Sequence, residues 1–258
     1  MRILFVADVF GAPGRRAVEH LLPGLRAELE ADFCIVNGEN AAAGRGITAK
    51  IADRILAAGA DVITLGNWTW GQPGFAPYLS GTDRVLRPAN FSPRTPGKGI
   101  AVHDGVAVIN LLGSFSLDPF ESAFLAADRL VEEAQRETPV IVVDFHAEAT
   151  SEKVALARYL DGRVTAVLGT HTHVQTNDAR VLAGGTAAIT DAGMTGPHDS
   201  VIGSEDEGAI RRFVTGMPVR LEPATRGVRL EGVLVECTPD GRATSCASVR
   251  VEFPGSNS

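Results

Sequence analysis

Cysteine is scarce: Cys34, Cys237 and Cys246 are odd in number and widely spaced. No Cys-x-x-Cys pair occurs, which excludes a thiolate zinc knuckle and a dithiol redox motif. A reducing compartment is the simplest setting. Long apolar runs are also missing; none approaches the roughly 20 residues of a membrane-spanning helix. Nor do the first residues form a signal peptide. Met1–Val6 reads as one short apolar strand, and Asp8 follows before an apolar region can develop. The expectation is a cytoplasmic protein with no membrane partner. Positive charge is in deficit, the formal net charge being −7. Stable binding to duplex nucleic acid is therefore not expected, because neutralising its phosphates takes clustered Lys and Arg. A small phosphate-bearing substrate stays in play, since bound cations can bring the charge that the composition lacks. There is no repeat, low-complexity tract or charge block. The chain reads as one domain over 1–254 with a frayed tail at 255–258.

What is present alternates. Arg2–Ala7, Phe33–Val36 and Val62–Leu65 are short apolar strand candidates. Between them run a helical pattern over Arg15–Leu29 and a helix capped by Thr48 and stopped at Gly59. Ile100–Val102 and Val106–Leu111 suggest a hairpin around Asp104-Gly105. A long helix over Asp118–Arg136 precedes strands at Val140–Phe145 and Val164–Leu168, with a helix over Ser151–Leu160 between them. The last third is β-rich: Val181–Ile189, Val219–Leu221, Val228–Glu236 and Ala247–Phe253, interrupted by a helix over Glu207–Thr215. Early alternation followed by late hairpins predicts an α/β fold with a mixed sheet or two packed sheets flanked by helices, rather than a doubly wound Rossmann sheet.

The informative pattern lies in the residues that terminate each apolar strand. Asp8 ends the first, Asn37-Gly38-Glu39-Asn40 the second and Gly66-Asn67 the third. Asp144 and His146 end the strand at Ile141–Phe145. Gly169-Thr170-His171-Thr172-His173 ends the next, and Asp191 comes after Ala187–Thr190. Taken singly, each has a structural reading: Asp8 as a cap, Glu39 and Asn40 as loop residues, Asn67 as a turn residue, His146 as a core histidine. Taken together, they place acidic or metal-competent groups at six successive strand ends, where ligands of α/β sheets collect. His171 and His173 are spaced i, i+2, which on an extended chain points both rings the same way. Carboxylate, amide oxygen and imidazole suit manganese, iron or zinc better than calcium. The ligands are too many for one four-coordinate ion. Two metals about 3.5–4 Å apart fit better, with Glu39 as the bridge.

These stretches resemble the calcineurin-like metallophosphoesterases and, within them, the bacterial YmdB-like family. The match runs through Asp8-Val9-Phe10-Gly11 with Gly14-Arg15, Asn37–Asn40, Gly66-Asn67, Asp144–Lys153, Gly169–Thr176 and Thr190–Pro197, in order along nearly the whole chain. The resemblance implies a four-layer α-β-β-α arrangement of two packed mixed sheets, with the site at one edge. It implies one divalent metal on Asp8, Glu39, Asn40 and His173, and a second on Glu39, Asn67, His146 and His171. It also implies phosphodiesterase activity, including on cyclic nucleotides such as 2′,3′- or 3′,5′-cyclic monophosphates, by attack of a hydroxide bridging the metals. The chain departs from the family at Asn67-Trp68-Thr69-Trp70-Gly71, where Trp68 stands in place of the usual histidine. Indole cannot transfer a proton in this range, so Trp68 predicts intact metal binding with weakened turnover. His198 is a candidate replacement acid, beside Glu39 and Asn67 as the other catalytic candidates. Arg15 and Arg45 are candidate substrate contacts, and Trp68 or Trp70 a candidate platform for a base. The rival readings are a phosphomonoesterase or nucleotidase on the same metals, and a metal-loaded regulatory protein with negligible catalysis. The partners expected are a small phosphate ester and, as a homo-oligomer, further copies of the chain.

Overall fold

A computed structural model describes residues 1–254; the expected tail at 255–258 lies outside the described residues. In chain order the elements are β1 (Arg2–Val6), α1 (Gly11–Glu28), β2 (Phe33–Asn37), α2 (Ala49–Ala57), β3 (Val62–Thr64), α3 (Phe75–Ser80) and β4 (Val85–Leu86). The hairpin β5 (Ile100–His103) and β6 (Val106–Leu112) leads to α4 (Ala123–Ala134), β7 (Ile141–His146), α5 (Thr150–Tyr159) and β8 (Ala166–Thr170). Then come β9 (Arg180–Val181), β10 (Ala187–Ile189), β11 (Gly196–Pro197), α6 (Asp206–Thr215), β12 (Val228–Cys237) and β13 (Ala243–Glu252).

Two mixed sheets result, and their side-chain alternation builds the layers. One has the order β11-β12-β1-β2-β3-β4, with β13 paired to β12; the other runs β5-β6-β7-β8-β10-β9. Successive strand residues point to opposite faces. Along β1, Ile3 and Phe5 enter an apolar cluster that they share with Val142 and Leu168 of the second sheet. Leu4 and Val6 point the other way, onto Val18 and Leu22 of α1 and Ile55 of α2. The second sheet repeats the logic, with Val108 facing inward and Ile109 packing towards Leu130 of α4 and Leu156 of α5. Three apolar layers between four structural ones give the α-β-β-α order. At about 25 cal/mol per Å² of apolar surface removed from water, these faces are the main favourable term in folding.

Local signals account for most boundaries. Thr48 caps α2, its side chain accepting from the Ile51 N–H at 3.4 Å. Asp104 and Gly105, at φ 47° and 78°, make the tight turn between β5 and β6. Two expectations are corrected. The long helix over 118–136 shortens to α4: Ser122 caps it, and Ser116 and Asp118 ahead of it hold left-handed φ values of 62° and 51°. Val219–Leu221 forms no strand; the nearest pairing is an isolated bridge between Ser204 and Pro223. α3, β4 and β11 are too short for sequence periodicity to register. No helix among the described residues is long and apolar enough to cross a membrane.

The central pairing is antiparallel, β1 against β12, with Val6 opposite Gly232. A Cβ at Gly232 would lie 2.1 Å from the Phe5 carbonyl oxygen, so only glycine lets the two strands approach. Gly232→Ala is expected to lower stability by about 2 kcal/mol or more, read as a fall in the urea midpoint at unchanged slope.

Candidate metal centre at the strand ends

β1, β2 and β3 run parallel, and so do β7, β8 and β10 in the facing sheet. Their carboxyl ends meet across the interface. The His171 N–H donates to Asp8 Oδ2 at 2.8 Å, and Asn37 Nδ2 donates to Asp144 Oδ2 at 2.8 Å. Asp8, Glu39, Asn40, His146 and His173 are buried.

Hydrogen bonds at the back of each histidine decide which ring nitrogen carries its proton. The Thr170 hydroxyl donates to Asp144 Oδ1 at 2.8 Å, so its oxygen must accept from His146 Nδ1, 2.9 Å away. His146 Nε2 is therefore a bare lone pair. It faces Asn67 Oδ1 at 3.1 Å, His171 Nδ1 at 3.1 Å and Glu39 Oε1 at 3.4 Å. His171 gives its own proton to Glu148 through Nε2, at 3.1 Å. A few ångströms away, His173 Nδ1 donates to the Ile202 carbonyl at 3.0 Å. That leaves Nε2 bare, 3.2 Å from Asn40 Oδ1, whose own NH2 group is spent on the Gly44 carbonyl. Asp8 Oδ1 and Glu39 Oε2 are buried with no hydrogen-bond partner at all.

Acceptors thus face acceptors in two adjoining groups, His146 Nε2 against Asn67 Oδ1 and His171 Nδ1, and His173 Nε2 against Asn40 Oδ1, with no hydrogen between them. Such an arrangement is repulsive unless a cation occupies the middle. Among the described residues, no three His, Cys, Asp or Glu side chains converge by themselves on one ion; each group draws on an amide oxygen as well. Chemically, the donor set fits divalent transition metals. Burial pushes Glu39 up to about 7 and Asp144 up to about 6. Burial first, then the charge of Asp191, holds Asp8 well above the usual carboxylate range. Burial also drives His146 down to about 3 and His171 to about 4. Neutral imidazoles are what a metal requires, and a bound cation would reverse the carboxyl shifts.

The two-histidine segment departs from expectation. It is not extended: His171 and His173 hold φ values of 99° and 64°. The two rings consequently address different groups rather than one centre. Left-handed backbone at two non-glycine residues carries strain of order 1–3 kcal/mol each. Asp191 holds the turn between them, accepting from the Thr172 N–H at 3.0 Å and its hydroxyl at 2.6 Å. Lys153, itself buried, donates to the same oxygen at 2.8 Å. Sequence pattern alone assigns no role to Thr170, Thr172 or Lys153. The signal available was two hydroxyls interleaved with the histidines.

In front of the centre lies a cleft of about 470 Å³, lined by Asn40, Arg45, Trp68, His171, His173 and Phe213 among others. The Arg45 guanidinium carbon sits 4.9 Å from the centre of the Trp68 ring. Trp68 is 37% exposed and Trp70 41%, so neither is a core residue. The Trp68 backbone N–H donates to Glu39 Oε1 at 2.7 Å, tying the tryptophan loop to the bridging candidate. Arg15 does not line this cleft; it donates to the Ala41 carbonyl and braces the loop that carries Asn40. His198 does not line it either. Its Nε2 bonds the Met194 carbonyl at 3.0 Å and its Nδ1 accepts from Arg229 at 2.9 Å, in a separate cleft that shares His173.

A family model described as YmdB-like protein matches residues 4–249. The chain belongs to the YmdB-like family. It is 50% identical over 240 residues to the 2′,3′-cyclic-nucleotide 2′-phosphodiesterase of Bacillus subtilis (strain 168), covering 92% of this chain and 91% of that protein. Among solved structures, a hypothetical protein from Thermus thermophilus superposes with a TM-score of 0.92 at 41% identity, covering 98% of this chain and all of that one. A novel phosphatase from Mycoplasma pneumoniae superposes with a TM-score of 0.91 at 34% identity, over 98% and 93% of the two chains. The fold is that of the metallophosphoesterases, and the family's enzyme class is phosphoric ester hydrolase.

Thr170→Val would strip His146 of its proton acceptor and Asp144 of a donor. Loss of such an outer partner typically costs 10–100-fold in metal affinity or activity. A fall of about that size in metal affinity is expected by calorimetry, with the folded far-ultraviolet spectrum retained.

Proposed function

We propose that the chain is a dinuclear metal-dependent phosphodiesterase acting on cyclic nucleotides. The observation that carries this is the pair of proton-free acceptor groups opening onto a cleft with a cation and an aromatic face on its wall. Asp8, Glu39, Asn40 and His173 would hold one ion, and Glu39, Asn67, His146 and His171 the other. Held there, two divalent ions (iron, manganese or zinc) lower the pKa of water and draw charge from phosphoryl oxygens. The protein's part is orientation. Thr170 and Glu148 keep the bare nitrogens of His146 and His171 aimed forward, and Trp68 N–H keeps Glu39 in place. Arg45 is free to donate to a phosphate oxygen, and the exposed Trp68 ring offers a stacking face for a base. The 50% identity to a named 2′,3′-cyclic-nucleotide 2′-phosphodiesterase supports this substrate class.

The cleft holds no histidine corresponding to the one that Trp68 replaces, and His198 is engaged elsewhere. That favours a second reading, a metal-bound protein with low turnover. General acid catalysis is typically worth 10²–10⁴-fold. Trp68→His is therefore expected to raise turnover of 2′,3′-cyclic AMP by about 10²-fold or more. No gain and no turnover with iron, manganese or zinc would leave the regulatory reading.

Metal analysis of protein purified without chelator, paired with turnover of bis-p-nitrophenyl phosphate, p-nitrophenyl phosphate and 2′,3′-cyclic AMP, tests the main reading. The diesters are expected to be faster than the monoester; the reverse order would make the protein a phosphomonoesterase. Glu39→Ala is expected to release both ions and abolish turnover. A variant that keeps both would show that Glu39 is no bridge.

A further inference from the structure

A second cleft lies apart from the metal centre. It has a volume of about 800 Å³ and lies beside β4, β5 and α4, with Arg87, Phe91, Lys98, Phe120, Glu133 and Glu137 on its walls. Among its lining residues is a buried arginine without an ion-pair partner. Arg87 is only 6% exposed, yet it makes no ion pair among the described residues. Its Nε donates to the Pro96 carbonyl at 3.2 Å, and its Nη1 to the carbonyls of Pro88 at 2.8 Å and Ala89 at 3.5 Å. Nη2 has no hydrogen-bond partner among the described residues, and Arg87 lines the cleft. A buried guanidinium without a carboxylate is costly. An anion on its free edge would offset that cost with charge-assisted hydrogen bonds.

The surroundings sharpen the class of ligand. Lys98 lines the same cleft, and its carbonyl accepts from the Arg87 N–H at 3.0 Å. It makes no ion pair either. The other arginine of the cleft, Arg129, is already matched to Glu121 at 2.8 Å. Arg87 and Lys98 are therefore the pair left to hold an anion. Phe120, 70% exposed, and Phe91 also line the cleft, together with the exposed carboxylates of Glu133 and Glu137. Carboxylates accept from an amino group such as that of adenine. The volume is within the range of small-molecule sites.

We propose that this cleft is a second binding site, for a nucleoside monophosphate, with its phosphate on Arg87 and Lys98 and its base against Phe91 and Phe120. Phe91 also leans on Trp70, ring centres 6.2 Å apart, so an occupant would press on the loop that carries Trp68.

Calorimetry on the full chain, stripped of metal, would compare adenosine 5′-monophosphate, inorganic phosphate and adenosine. The nucleotide is expected to bind more tightly than either fragment. Lys98→Glu, an exposed change, should weaken it about tenfold or more while leaving the turnover of 2′,3′-cyclic AMP by metal-loaded protein unchanged. Arg87→Lys, which keeps the charge but loses the planar fork, should weaken it too. If Arg87→Lys fails to fold, Lys98→Glu decides alone. Equal affinity in Lys98→Glu, no binding at millimolar nucleotide, or binding that is lost in Arg45→Ala instead, would overturn the proposal.

Discussion

Repulsion between buried acceptors is the constraint around which this molecule is arranged. Bare imidazole nitrogens, amide oxygens and the free oxygens of Asp8 and Glu39 are packed within a few ångströms of one another. No such group would persist in a fold free to relax. The surrounding scaffold has to hold it. The scaffold does so with rigid parts: six strand ends, each fixed by its neighbours in a ladder, and a set of side chains behind them whose only task is to hold protons in place. Asp144 reaches across to both sheets, bonding Asn37 of one and Thr170 of the other. A single carboxylate thereby couples the separation of the sheets to the orientation of His146.

Much of this was legible in the amino-acid order, for physical reasons. Strand positions are written as runs of β-branched and aliphatic residues, and a polar residue that ends such a run is displayed at a sheet edge. Asp8, Glu39, Asn67, His146 and His171 could be found that way because their position follows from period and termination alone. The four layers follow from both sheet faces being apolar. What could not be read is geometry set by partners distant in sequence. The left-handed turn at His171 and His173 depends on Asp191 and Lys153. Whether Arg15 faces a ligand or a carbonyl depends on a loop from another part of the chain. His198 looked available because nothing near it in sequence announces Arg229. Short elements such as β4 and β11 escape detection because two residues have no periodicity.

The tryptophan at position 68 changes the character of the cleft without disturbing the centre behind it. Its backbone N–H still serves Glu39, a task any residue but proline would perform, while its ring lies beside Arg45 at the cleft wall. The main chain and the side chain of one residue therefore serve separate purposes. One is structural and indifferent to identity; the other forms part of the cleft wall. A substitution here changes the cleft wall while the backbone bond to Glu39 stays available.

β1 is flanked by one strand near it in sequence and one far from it. β1 lies between β2, which follows it closely, and β12, whose residues come more than two hundred positions later in register, Arg2 opposite Glu236. As the chain leaves the ribosome, the strand that leads to Asp8 has one neighbour and one open edge until the closing hairpin arrives. Pairing across so long an interval is slow to form, and an unpaired apolar edge invites contact with other chains in the meantime. β1, and with it the strand end at Asp8, gains its second neighbour only when that distant strand pairs.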